Sequence, residues 1–178
     1  CKAGCAPQGI CGCCTILING VPRLSCTLPV KTLAGKSLTT LAGIPENQLN
    51  GLADAFLATG GTQCGYCTPG ILLSCHALLN KNPNPSEEEV ARALNQHLCR
   101  CTGYTAIQAA VQLHAAVLRQ EQSLPFVLRP EGREIVLGQR PYVDDLQPAG
   151  ALAATLILSN LESGRLESLS LQSASEIP

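Results

Sequence analysis

The 178-residue chain is 46 % hydrophobic, with a net charge of −1, eleven cysteines, only 3 % aromatic residues and neither Trp nor Met. Its Lys and Arg residues are scattered singly, so it lacks the basic stripe that binds nucleic acid or an anionic membrane surface. No apolar run approaches the roughly 20 residues of a membrane span, and the core must be built from aliphatic side chains.

Residues 1–14 are rich in Gly and Cys and read as a loop. Thr15 to Ile18 is a β-prone run that meets Asn19-Gly20, the favoured pair for a type I′ turn, and Val21 to Ser25 returns. This hairpin makes Cys14 and Cys26 neighbours at the bases of two strands. Leu38 to Leu41 is a further short strand. From Pro45 the pattern becomes helical. The first helix is predicted over 46–58 and the second from the Thr68-Pro69 cap to Leu79. The third runs from Ser86, with Glu89 completing a capping box, to Leu98, and the fourth from Thr105 to Arg119. Cys64 to Ile71 and Cys99 to Tyr104 echo each other as a Cys pair followed by Thr and a helix. Two helical hairpins of this kind would gather both pairs at one end of a bundle, with helix N-termini facing an anionic centre. Residues 120–140, with Pro125 and Pro130, read as a linker. Strands are then expected at Glu134 to Leu137, Ala154 to Leu158 and Leu166 to Leu171.

All eleven cysteines (1, 5, 11, 13, 14, 26, 64, 67, 75, 99 and 101) lie in the first 101 residues. Disulfides, zinc and iron–sulfur compete to explain them. The ample apolar content removes the need for a disulfide framework. Adjacent Cys13-Cys14 and the tight Cys99-Arg100-Cys101 also strain against several bridges. One set is Cys5-x5-Cys11-x2-Cys14-x11-Cys26, one residue longer in its first gap than the plant-type 2Fe–2S spacing. The other is Cys64-x2-Cys67-x31-Cys99-x1-Cys101, whose C-x1-C fits structural zinc poorly. A zinc-binding structural module and a freestanding double-cluster ferredoxin are the rival readings.

The runs GCAPQGICGCCTILINGVPRLSC and QCGYCTPGILLSCHALLNKNP, with HLCRCTGY, resemble the iron–sulfur portion of the molybdenum hydroxylases, the xanthine dehydrogenase and aldehyde oxidase family. The resemblance implies an α+β chain in which residues 1–44 form a partial, N-terminally truncated ferredoxin-like β-grasp domain. Residues 45–119 would form a four-helix 2Fe–2S bundle domain. Residues 141–178, after the 120–140 linker, are similar to the start of the molybdenum-binding subunit, an α/β domain. It further implies two 2Fe–2S clusters, one on Cys5, Cys11, Cys14 and Cys26 and one on Cys64, Cys67, Cys99 and Cys101. The irregular gap makes Cys5 the least secure of these, with Cys13 and Cys1 as candidate substitutes. Gln63 and the backbone at Cys101 would contact molybdopterin.

The implied function is electron transfer within an oxidoreductase acting on purines, N-heterocycles or aldehydes, with no catalytic residue in this stretch. Electrons would pass from a molybdopterin-binding domain of the same chain, through the helical cluster and then the β-grasp cluster, to an external acceptor such as a flavoprotein. No nucleic acid partner is expected. The chain opens at Cys1 without an initiator Met, which leaves an export signal open, and a cytoplasmic setting is expected. Other residues read more plainly. Cys75 is a buried small hydrophobe, and Tyr66 and Tyr104 shield the second set. His76, His97 and His114 share no ligand spacing. Arg100 is either a charge favouring the reduced cluster or an ordinary surface residue, and Asp144-Asp145 is a turn or cap.

Overall fold

A computed structural model describes residues 1–127, 129–152, 154–156 and 158–170. Its sheet begins where the turn chemistry predicts. β1 (Thr15–Ile18) pairs antiparallel with β2 (Val21–Leu24), Ile18 lying opposite Val21 and Thr15 opposite Leu24. Asn19 and Gly20 take φ of 50° and 78°, the left-handed pair that a type I′ turn requires. β3 (Leu38–Thr39) joins the other side of β1, giving the order β2-β1-β3. Asn19 ties the turn to β3 by accepting the Ser37 amide on Oδ1 at 2.9 Å.

Four helices follow: α1 (Glu46–Ala58), α2 (Thr68–Lys81), α3 (Glu87–Leu94) and α4 (Tyr104–Leu118). α2 starts at the expected cap itself, so that Cys67 is the N-cap and Thr68 is already helical. The freed Thr68 hydroxyl meets that of Thr62 at 3.0 Å. The capping box of α3 is complete, with the Glu89 amide on Ser86 Oγ at 3.2 Å and the Ser86 amide on Glu89 Oε2 at 2.9 Å. Replacing Ser86 by Ala is expected to cost about 1 kcal/mol in urea unfolding. The Ser86 amide, followed by the Asn82 side chain, holds the Glu89 carboxyl below its ordinary value. The stability it lends is present above the usual carboxylate range and is lost as pH falls through the lowered value.

α3 ends four residues earlier than the pattern predicts, and the reason is local. Continuing the helix would spend the Leu98 amide on Leu94, whereas it donates to the Cys11 carbonyl at 3.0 Å. Leu52 and Phe56 of α1, Ile71 and Leu72 of α2, Val90 of α3 and Ile107 of α4 form a core sealed from solvent. Each such side chain contributes about 1.5–3 kcal/mol of burial. The core is aliphatic apart from one ring, as the composition requires.

The expected linker is more structured than its prolines suggest. Glu134 to Leu137 is not a strand. α5 (Gly132–Val136) occupies it, entered through Glu131 at a φ of 54°. Ile135 and Val136 are buried, and Arg133 forms a salt bridge with Asp54 of α1. The tertiary contact overrides the β preference of Ile and Val.

A second unit begins at Asp144. A short turn covers Val143–Asp145, and the Ala151 amide closes another on Pro148 at 3.1 Å. Neither 154–156 with 158 nor 166–170 pairs as a strand among the described residues, and Leu156, Leu158, Leu166 and Leu169 stand exposed. A strand needs a partner to satisfy its backbone. Ile157 and Leu171, parts of the expected strands, lie outside the described residues.

Candidate iron–sulfur sites

The hairpin brings Cys14 and Cys26 together, with the Ser25 amide at 3.2 Å and the Ser25 hydroxyl at 2.8 Å both donating to the Cys14 carbonyl. Burial opposes charge on Cys14, but the amide and thiol of Cys26 and the Ser25 hydroxyl outweigh it and lower its pKa. Cys26 is raised by its hydrogen bond with Cys14. Burial likewise opposes charge on Cys11. There the amides of Cys13 and Gly4 and the thiols of Cys5 and Cys13 prevail, bringing Cys11 down to about 7. The thiols of Cys5 and Cys13 thus both lie against Cys11, and Cys14 meets Cys26.

In the second set thiols meet too. Cys64 and Cys101 bring their sulfurs to 3.6 Å, and both are exposed. Cys67 and Cys99 form the inner pair. Burial, followed by its hydrogen bond with Cys99, raises Cys67. Cys99 is also opposed by burial but lowered overall by the Thr102 hydroxyl, the amides of Thr102 and Cys101, and the Cys67 thiol. Thr102 Oγ1 lies 3.1 Å from Cys99 Sγ, and the Tyr66 amide lies 3.5 Å from Cys64 Sγ.

Among the described residues, no three His, Cys, Asp or Glu side chains converge as they would around one ion. A structural zinc draws four donors to a single point. Thiols held in twos suit a centre with two irons, each taking two thiolates. All-thiol donor sets of this kind suit a 2Fe–2S group better than a single ion.

The two sets meet along a seam. Gly12, at a φ of 73°, lies against the second set's approach, where a Cβ would come within 2.3 Å of the Gln96 carbonyl and 2.4 Å of His97 Nδ1. Gly70 of α2 faces it, and a Cβ there would reach 2.3 Å from the Gly12 carbonyl. His97 is buried beside this contact with Nε2 2.8 Å from Ser74 Oγ, so it holds the seam and reaches no cysteine. The Leu98 amide on the Cys11 carbonyl joins the residue before Cys99 to a residue of the first set.

Other expected residues have settled positions. Cys13 is buried, its thiol 3.8 Å from the Cys11 carbonyl, and burial with the neighbouring cysteines pushes it up to about 12. Cys1 is exposed, and Cys75 is fully buried in α2. Gln63 and Arg100 are exposed beside the outer pair. His76 takes Asn80 as its partner at 2.9 Å, and His114 packs against Gly51. Tyr104 does more than shield: its hydroxyl accepts the Cys99 amide at 3.1 Å and donates to the His97 carbonyl at 2.8 Å. Sequence reasoning passes over Arg129 and Tyr142. Arg129 donates to the carbonyls of Thr62 at 2.7 Å and Gln63 at 3.0 Å. The Tyr142 hydroxyl donates to that of Cys64 at 3.0 Å. Nothing in spacing marks either contact, because both reach backbone oxygens more than 60 residues away.

Residues 40–112 match the family model of a 2Fe–2S binding domain. The chain is 45 % identical over 112 residues to the nicotinate dehydrogenase small FeS subunit of Eubacterium barkeri, covering 62 % of this chain and 71 % of that one. It is 33 % identical to the aldehyde oxidoreductase of Megalodesulfovibrio gigas, an alignment that takes in 99 % of this chain but 22 % of the larger protein. The solved aldehyde oxidoreductase from Desulfovibrio gigas superposes with a TM-score of 0.73 at 34 % identity, over 84 % of this chain and 19 % of that one. Quinoline 2-oxidoreductase from Pseudomonas putida 86 superposes with a TM-score of 0.59 at 42 % identity, over 68 % and 76 % of the two chains. With its thiols in pairs and these relatives at such identity, the chain belongs to the iron–sulfur part of the xanthine dehydrogenase and aldehyde oxidase family of oxidoreductases.

Proposed function

We propose that the chain conducts electrons between two 2Fe–2S clusters inside a molybdenum-dependent hydroxylase. Cys5, Cys11, Cys14 and Cys26 hold one cluster in a β-grasp-like domain, and Cys64, Cys67, Cys99 and Cys101 hold the other in a four-helix domain. Each cluster, when bound, supplies one-electron chemistry at a potential set by its hydrogen bonds and exposure. The observation that carries the reading is the meeting of Cys64 and Cys101 at 3.6 Å within the residues that match a 2Fe–2S binding domain.

The residues divide the work. Cys64 and Cys101 present the outer edge of the helical site to solvent, where Gln63 and the backbone of Cys101 would contact molybdopterin. Cys67 and Cys99 face inward, and the Leu98 amide on the Cys11 carbonyl ties their side of the seam to the first site. Buried Cys11 and Cys14 keep water from the inner face of that first site, and half-buried Cys5 and Cys26 lie towards an external acceptor such as a flavoprotein. The substrate of the whole enzyme is an aldehyde, a purine or an N-heterocycle, by analogy with the relatives' named activities.

The chain expressed anaerobically with iron and sulfide should give brown protein with equal iron and sulfide and two distinct EPR signals on reduction. Colourless, zinc-loaded protein overturns the reading. A reading frame that stops soon after Pro178 favours a freestanding ferredoxin, and one that continues into molybdopterin-binding sequence favours the hydroxylase. Within the first site, Cys5→Ala should lose that cluster and Cys13→Ala should keep it, since the buried Cys13 thiol is turned to the Cys11 carbonyl. Iron analysis of the two variants checks this directly.

A further inference from the structure

We propose that residues 129–142 are a positioning strap for the loop that carries Gln63 and Cys64, and that Arg129 and Tyr142 set the redox properties of the helical site through it. The inference rests on Cys64, Cys67, Cys99 and Cys101 holding a 2Fe–2S cluster.

The loop between α1 and α2 has no regular structure to hold its backbone, yet three of its carbonyls in succession are taken up. Arg129 spans the first two, with Nη1 on Thr62 at 2.7 Å and Nη2 on Gln63 at 3.0 Å. Tyr142 takes the third, Cys64, at 3.0 Å. Orienting three adjacent peptide planes leaves the next free amide, that of Tyr66, 3.5 Å from Cys64 Sγ. The strap is itself anchored. Ile135 and Val136 are buried, Ile135 lies against Gly65, and Arg133 pairs with Asp54 of α1. The Tyr142 ring sits 5.8 Å from that of Tyr66, with Lys2 Nζ 4.7 Å over the Tyr142 ring. A passive connector would touch the outside of the helices, whereas this one is bonded to the main chain at a ligand residue.

The electrostatic consequence has a definite sign. Carbonyl oxygens beside a reducible anionic centre present their negative ends to the incoming electron. A guanidinium, which makes strong charge-assisted bonds, and a phenol O–H offset three of them. Removing either partner makes the added electron less welcome and lowers the midpoint potential of that cluster alone.

The test uses the full chain carrying its clusters, with Arg129→Ala, Arg129→Lys and Tyr142→Phe. Midpoint potentials of the two EPR signals are measured by redox titration alongside the thermal midpoint. The helical signal is the one that vanishes in Cys67→Ala. Arg129→Ala and Tyr142→Phe are expected to lower the potential of that signal and leave the other in place. Arg129→Lys, which keeps the cation but not the two-pronged grip, should shift it less. Two unmoved potentials overturn the proposal, as does an equal shift of both signals with a lower thermal midpoint, the mark of general loosening. Wild-type protein without a cluster on the second set overturns the two-cluster reading instead, so the two failures are separable.

Discussion

Cys67→Ala should remove one of the two EPR signals expected of the proposed clusters and half of the bound iron and sulfide, while circular dichroism should keep its helical signature. Cys67 is the buried member of the inner pair and sits at the N-cap of α2, where the helix's unpaired amides and positive dipole end favour a thiolate bound to an anionic centre. No nearby thiol is placed to substitute. Cys75 is two turns along α2 and fully buried, and Cys13, which approaches Cys67 across the seam, turns its thiol to the Cys11 carbonyl. The core of Phe56, Leu72 and Ile107 does not depend on the cysteine, so the bundle survives as a single-cluster protein. The same change at Cys14 should remove the other signal. If either variant retains both signals with full iron, the assignment of four thiols to each site is wrong.

Gly70→Ala is expected to destabilise the folded protein even though the same change in an exposed helix would stabilise it. In a helix interior Ala is better than Gly by about 1 kcal/mol. Here the new methyl would sit 2.3 Å from the Gly12 carbonyl, and overpacking of this kind costs about 1–3 kcal/mol or more. The neighbour that must give is backbone, so the net effect is a loss of about 1–2 kcal/mol in urea unfolding. Gly12→Ala should be worse. It adds a methyl within 2.3 Å of the Gln96 carbonyl at a φ of 73°, where a side chain costs a further 1–2 kcal/mol or so. Both changes lie in the seam, so each should also slow electron exchange between the two EPR-visible centres. A stability equal to wild type in both variants would show that the two halves do not dock as described.

Much of this arrangement is legible from the sequence because local rules govern it. Asn19-Gly20 dictates its turn, Ser86 and Glu89 dictate a helix start, and the 3.6-residue patterns of α1 and α4 place their boundaries within a residue. The hairpin and the echoed helical turns likewise account for Cys14 meeting Cys26 and Cys64 meeting Cys101. What escapes is decided at a distance. α3 stops at Leu94 because a carbonyl more than 80 residues earlier in the chain claims the Leu98 amide. Ile135 and Val136 read as strand until α1 offers them a surface to pack on. The contacts of Arg129 and Tyr142 carry no motif, because a side chain that bonds to a main-chain oxygen leaves no trace in the identity of its partner.

The early end of α3 also makes the molecule report on its own assembly. The Leu98 amide is tied neither within its helix nor to solvent but to Cys11, so its hydrogen exchange tracks whether the hairpin half is seated on the helical half. In a detached state this amide would exchange at once, while those in the middle of α2 and α4 stayed protected. One resolved amide resonance therefore separates undocking from unfolding, and would show which of the two precedes loss of a cluster.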